Sequence, residues 1–200
     1  MKKKLFAAGI IVICLALCAG STWAYFTAED YAHNVITSGT IGISIIEEPG
    51  SGDGVEVELP SDGLSNIMPG SRISQIVSVA NTGEADAWIR VRVDVGLVSS
   101  EQTPLPSEIE VQGVPVPVLS FSVGQEWIDG GDGYYYYAYP VAPGANTAAF
   151  FDQMTFALEM GNAYQGSTAN VAIVAQAVQV ANNPIPDGGN VTDVTNWPEA

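Results

Sequence analysis

Between Trp88 and Val95 the chain alternates without a break: Ile89, Val91, Val93 and Val95 fall on one side, Trp88, Arg90, Arg92 and Asp94 on the other. A period of two is the side-chain repeat of an extended strand, so this stretch predicts a strand with one face buried and one turned outward. A one-sided apolar strand needs a second layer to cover it. The same habit recurs. Ile41, Ile43 and Ile45 alternate with Gly42, Ser44 and Ile46, and Val55, Val57 and Leu59 alternate with Glu56 and Glu58. Residues 73–79, 114–123, 134–139 and 147–158 read as further strands. Residues 170–180 are apolar on both faces, with Val171, Ile173, Ala175 and Ala177 against Ala172, Val174, Val178 and Val180. That pattern predicts a central strand covered on both sides, and its β-branched content argues against a short buried helix.

Turn signals separate these runs: Pro49-Gly50-Ser51-Gly52-Asp53-Gly54, Pro69-Gly70, Asn81-Thr82-Gly83, Asp129-Gly130-Gly131-Asp132-Gly133 and Pro143-Gly144. With 21 Gly and 12 Pro there is no long amphipathic helix to be read. Many short strands with Gly/Pro turns predict an all-β chain folded as a β-sandwich over residues 39–181. Residues 182–200, with three prolines and Gly188-Gly189, read as an extended C-terminal tail. Arg90 and Arg92, on the outward side of their strand, read as part of a solvated sheet surface.

The N-terminus carries an address. Lys2, Lys3 and Lys4 precede an apolar or small-residue run from Leu5 to Ala19, and Gly20-Ser21-Thr22-Trp23-Ala24 follows. The run is 15 residues long, short of the ~20 needed to span a bilayer. Residues 1–24 therefore read as a secretory signal peptide, cleaved between Ala24 and Tyr25, with membrane contact only while it is uncleaved. Cys14 and Cys18 both lie inside it. Each follows a large apolar residue, Ile13 or Leu17, which argues against a lipoprotein site. The exported chain is then free of cysteine and is held without disulfides. Residues 25–38 read as an extended N-terminal segment.

Loss of the three lysines leaves Arg72, Arg90 and Arg92 against 22 carboxylates, a formal charge of 3 − 22 = −19. Such a surface repels phosphate backbones and anionic lipid, which disfavours nucleic acid as a partner. It also makes self-association sensitive to ionic strength and divalent cations.

Catalytic chemistry is hard to assemble from these residues. His33 is the single histidine, with neither a second imidazole nor a metal-binding motif around it, so it supports neither a zinc site nor a Ser-His-Asp triad. No enzyme activity is expected. Asp129 and Asp132 offer hard oxygen ligands in a glycine turn. Their spacing is not that of a calcium loop, so ordinary Asp-Gly turns are the expectation, with no cofactor and calcium as an open alternative. Tyr134, Tyr135, Tyr136 and Tyr137, with Tyr139 and Trp127 nearby, suggest a carbohydrate-stacking platform. Adjacent strand residues point to opposite faces, so two buried and two surface tyrosines are the plainer expectation. Asn190-Val191-Thr192 matches a glycosylation sequon, discounted because the leader reads as bacterial.

Several segments together resemble the TasA/camelysin family of bacterial biofilm-matrix proteins. They are the export junction Gly20-Ser21-Thr22-Trp23-Ala24-Tyr25-Phe26, then Ser38-Gly39-Thr40-Ile41, then Met68-Pro69-Gly70. Val77-Ser78-Val79-Ala80-Asn81-Thr82-Gly83 follows, and Asn162-Ala163-Tyr164-Gln165-Gly166 leads into Ala175-Gln176-Ala177-Val178-Gln179. The resemblance implies a jelly-roll sandwich, a dedicated signal peptidase as export partner, a bacterial extracellular or cell-surface location, and self-association into fibres. It also implies a donor strand, here Tyr25, Phe26, Thr27, Ala28, Glu29, Asp30 and Tyr31, docking into the next subunit. Phe26 and Ala28 share one side of that segment when extended, and could fill small pockets. The chain departs from the family in being shorter than its best-known fibre former and in lacking lysine beyond the leader. The alternative is a monomeric cell-surface adhesion or glycan-binding module. A protease, as the camelysin branch has been described, finds no motif here. The shed protein should begin at Tyr25, which N-terminal sequencing reads directly; a retained leader contradicts the export reading.

Overall fold

The computed structural model describes residues 35–36, 41–50, 55–56, 63–65 and 68–198, all within the unit that begins at His33. Fourteen strands run in chain order: β1 (Val35–Ile36), β2 (Ile43–Pro49), β3 (Val55–Glu56), β4 (Leu64–Ser65), β5 (Arg72–Asn81), β6 (Ala87–Val98) and β7 (Pro104–Leu105), then β8 (Glu108–Val111), β9 (Val114–Pro117), β10 (Leu119–Val123), β11 (Trp127–Asp129), β12 (Tyr135–Tyr137), β13 (Phe151–Phe156) and β14 (Thr168–Gln179). Two short 3-10 turns, Asn162–Tyr164 and Val191–Asp193, complete the regular structure of the described residues.

The strands form an all-β sandwich. One sheet has the order β1-β14-β6-β12-β11, with β4 added to β14 and β7 to β6; the other has the order β10-β13-β5-β2, with β3 added to β5. From β5 onward the main strands cross between layers: β6 in the first, β10 in the second, β11 and β12 in the first, β13 in the second, β14 in the first. That alternation is the jelly-roll way of joining two sheets. The hairpin β8–β9 stands apart as a two-stranded sheet. Its two-residue loop, Gln112-Gly113, has φ of 54° and 81°, the left-handed pair a tight hairpin turn demands.

The alternating stretch behaves as its pattern dictates. Ile89 and Val91 of β6 are fully buried in the main core, and Val93 and Val95 pack against it. Their counterparts Ile173, Ala175 and Ala177 come from β14 and Val77 and Val79 from β5. At the centre sit Phe150, Phe151, Met154 and Phe156, all but sealed from solvent. Phe150 and Phe151 are neighbours in sequence, and a regular strand would send them to opposite faces. Phe150 lies just before β13, its amide bonded to the Val77 carbonyl at 2.6 Å, so the strand's alternation begins only at Phe151 and both rings enter the core. Phe150 meets Trp127 at 5.0 Å between ring centroids and Tyr135 at 5.4 Å, while Phe151 meets Phe121 at 5.0 Å.

Asn81 shows why an Asn-x-Gly turn follows β5. Its buried side chain donates Nδ2–H bonds to the carbonyls of Ala85 (2.8 Å) and Val141 (2.7 Å) and accepts one from the Gly83 amide (3.0 Å). It thereby ties the β5–β6 turn to the chain leaving β12. At Pro69-Gly70 the glycine takes φ 71°, a conformation that costs other residues a steric clash, and its amide reaches the Phe156 carbonyl at 3.1 Å.

Three expectations need correction. Residues 114–123 are divided between β9 and β10 because Val118 turns inward at the break and is fully buried. β14 lies between β1 and β6 as a central strand does, but it is not covered along both faces: Gln176 and Val178 are buried on its outer face while Asn170 and Ala172 are exposed. Residues 182–198 form no strand, yet they are no free tail, because Val191 and Val194 are buried against the sandwich. Phe150→Ala is expected to cost about 3–5 kcal/mol of stability through the cavity it leaves, measured by urea denaturation; a loss below about 1 kcal/mol would contradict this packing.

Candidate functional site

The outer face of the first sheet carries the most unusual chemistry among the described residues. Alternation sends Trp88, Arg90, Arg92 and Asp94 of β6 outward, and the register sets Arg90 opposite Gln176 of β14 on one side and Tyr136 of β12 on the other. The expectation of a solvated arginine fails for Arg90, whose side chain is only 12% exposed. Its Nε and Nη2 both donate to Gln176 Oε1, at 2.8 and 2.6 Å, and its Nη1 donates to the Tyr136 hydroxyl at 3.1 Å. The guanidinium carbon lies 3.9 Å from the Tyr134 ring centroid and 4.7 Å from that of Trp197. A planar cation between two aromatic faces is attracted by both ring quadrupoles, and more strongly where water is excluded.

Asp132 completes the charge balance. Its Oδ2 accepts from the Tyr136 hydroxyl at 2.7 Å and lies 3.8 Å from Arg90 Nη1, while its Oδ1 accepts from the Tyr134 amide at 3.0 Å. Burial alone would raise the carboxyl's pKa, but the bonds from Tyr136 and the Tyr134 amide, with the Arg90 charge, hold it below the usual aspartate value. Burial, then the bond to Asp132, pushes the Tyr136 hydroxyl above its ordinary value, with Arg90 opposing. Gln176 shows what the arrangement costs: with Oε1 committed to Arg90, its buried Nε2 has no hydrogen-bond partner. Arg92 is more open, 32% exposed, and pairs with Asp94 at 3.1 Å while donating to the Tyr134 hydroxyl at 3.3 Å.

The lid on this face is the segment that read as a tail. Beyond β14, the Asn183 carbonyl accepts from Trp88 Nε1 at 2.9 Å. Asn190 caps the turn Val191–Asp193 by accepting from the Thr192 amide, and Asp193 Oδ2 accepts in return from the Asn190 amide. The turn drives Val191 and Val194 into a second, smaller core with Trp88, Tyr134, Tyr136 and Val178. Asn196 then adopts φ 61°, its Nδ2 donates to Asn183 Oδ1 at 2.8 Å, and Trp197 Nε1 donates to the Val194 carbonyl at 2.8 Å. These contacts hold the indole over Arg90. Sequence reasoning missed the lid because its apolar residues, Ile185, Val191, Val194 and Trp197, follow neither a period of two nor of 3.6. The signal that was there is the capping pattern Asn-x-x-Asp at residues 190–193.

The tyrosine run divides by face as its period requires, but fewer rings than expected reach the surface. Tyr134 and Tyr136 lie in the outer cluster, and Tyr135 and Tyr137 against the main core. The Tyr137 hydroxyl donates to Glu126 Oε2 at 2.7 Å and accepts from the Ala148 amide at 3.1 Å. Among the described tyrosines only Tyr139, 56% exposed, stands out into solvent. Asp129 spends Oδ1 on the Gly131 amide at 2.9 Å, the bond of an Asx turn. Among the described residues there is no group of three or more His, Cys, Asp or Glu side chains placed to hold a metal ion. The cleavage junction Ala24–Tyr25, the donor residues 25–31 and His33 lie outside the described residues.

The fold and this face together define a two-layer β-sandwich in which residues 183–198 cover the outer face of one sheet around Arg90. Compared with protein-family models, curated proteins and solved structures, the chain matches none. Arg90→Ala is expected to lower stability by about 3 kcal/mol, because it strands Gln176 and Asp132 and empties the space beneath Trp197. Arg92→Ala should cost less than about 1 kcal/mol, as exposed pairs do. Chemical denaturation of both variants checks the contrast; equal effects would refute it.

Proposed function

We propose that this chain is a secreted structural subunit of an extracellular surface fibre or biofilm matrix, in which an extended segment of one copy docks as a strand on the next. The observation that carries the reading is the edge of β14. β14 pairs with β6 on one side, and on the other the described residues add only short strands, β4 at Thr168 and Ala169 and β1 at Ala175 and Gln176. A sheet edge that takes short added strands is also a template for strand addition from another chain. Main-chain bonds supply the affinity of such docking, and alternate side chains set its register. β1 supports the same reading, since a piece of chain from before the first long strand already adds to this edge in parallel. A contact between one end of a molecule and the edge of the next need not close on itself, and repeats as a filament.

The resemblance of the leader junction and of the ordered landmarks supports export and assembly. The glycan-binding alternative loses ground, because Tyr134, Tyr136 and Tyr137 are buried and a sugar platform needs exposed rings on one face. Mature protein and a variant lacking residues 25–31 distinguish the outcomes under electron microscopy across salt and pH. The mature protein is expected to form fibres, and the shortened one to keep its β-sheet circular dichroism without polymerising. Fibres from the shortened protein, or monomers only from the mature one, would sink the proposal.

A further inference from the structure

We propose that residues 183–198 are an exchangeable strap, and that the Arg90 face of one copy binds the strap of a second copy of this chain. The proposal concerns a different surface and a different end of the chain from the strand docking above, and does not depend on it.

The strap's contacts are confined to one small cluster. Trp88, Tyr136 and Val178 from the sheet and Tyr134 from the turn before β12 meet Val191 and Val194 from the strap, separately from the main core of Phe150, Phe151, Met154 and Phe156. No strand of either sheet lies within the strap, so it can leave without breaking a ladder. Beside those apolar contacts its attachments are few: Trp88 Nε1 donates to the Asn183 carbonyl, Asn183 Nδ2 donates to the Gln179 carbonyl, and Trp197 lies on Arg90 and Tyr136. A unit bound this way opens at a lower free energy than the sandwich unfolds.

Opening leaves a surface that calls for one kind of occupant. Trp88, Tyr134, Tyr136 and Val178 would be bared together around Arg90, with Arg92 beside them. The two arginines are among only three in the chain, against 22 acidic residues. The strap carries Asp187 and Asp193 and has no lysine or arginine. With Asp132 and Asp94 beside them these arginines leave the face near neutral, so the acidic strap meets less repulsion there than on the rest of an acidic surface. A strap from a neighbour makes the same contacts as the strap in place, so exchange alters the connection and not the interface. The pivot is the turn after β14, where the Asn183 amide donates to the Val180 carbonyl at 3.1 Å.

Two full-length variants test the exchange. Val194→Asp with Trp197→Ala disables the strap and leaves the face; Arg90→Glu disables the face and leaves the strap. Each alone should be unable to exchange. Mixed at high micromolar concentration, they should give a one-to-one heterodimer by native mass spectrometry and sedimentation, a doubling of mass seen only on mixing. Fibres built through the N-terminal segment would form in each variant alone, so a failure of strand docking leaves this readout intact. If both variants keep wild-type circular dichroism and no heterodimer forms, the proposal is wrong. If Arg90→Glu misfolds, a synthetic peptide of residues 183–198 is titrated into the strap variant. Saturable binding that a scrambled peptide lacks supports exchange, and no binding overturns it.

Discussion

The ladder between β6 and β14 is the element on which the rest of the molecule depends. It pairs Ala87 with Gln179 at one end and Val98 with Thr168 at the other, without a break. Two twelve-residue strands in continuous register present two surfaces at once. The inner one sets Ile89, Val91, Ile173, Ala175 and Ala177 against the opposite sheet. The outer one sets Arg90 beside Gln176 and Trp88 beside Val178. A slip of one residue would exchange the two faces, burying Arg90 and Gln176 in the main core. The register is therefore held from both sides, by apolar burial within and by the arginine clamp without.

A buried cation is costly unless hydrogen-bond acceptors, an opposite charge and ring faces surround it. Arg90 meets that demand with partners from four places: Gln176 on β14, Tyr136 on β12, Tyr134 and Asp132 in the turn before β12, and Trp197 on the strap. The clamp thus joins three consecutive strands of the sheet to a segment about a hundred residues away in sequence. Since the chain holds no cysteine after Cys18, this polar and aromatic closure does for the outer face what a cross-link does elsewhere. The cluster belongs to the organisation of the fold before it belongs to any ligand.

Much of the framework was legible in residue order. The alternation from Trp88 to Val95 announced β6 and its buried face, and Asn81-Thr82-Gly83 and Pro69-Gly70 marked turns whose bonds the structure supplies. The tyrosine run was read correctly as split between faces. What escaped was long-range. Arg90 alternates like any outward residue, and nothing local says that residues 183–198 return to cover it. β14 looked covered on both faces and central; it is covered on its outer face over Gln176 and Val178, while Asn170 and Ala172 remain exposed. A local pattern reports the strand's own period, and the neighbours that cover it are chosen elsewhere in the chain.

By itself, then, the order of residues determined the secondary structure, the layered all-β class and the acidity of the surface, because strand period, turn chemistry and charge are local properties. Tertiary structure decided which outward residues were to be buried, how Phe150 and Phe151 could share one core, and which short strands add to the edge of β14. Those outcomes depend on crossings between sheets and on a segment folding back over the layer it follows. Contacts between residues far apart in sequence set them, and the period of any single strand is silent about such contacts.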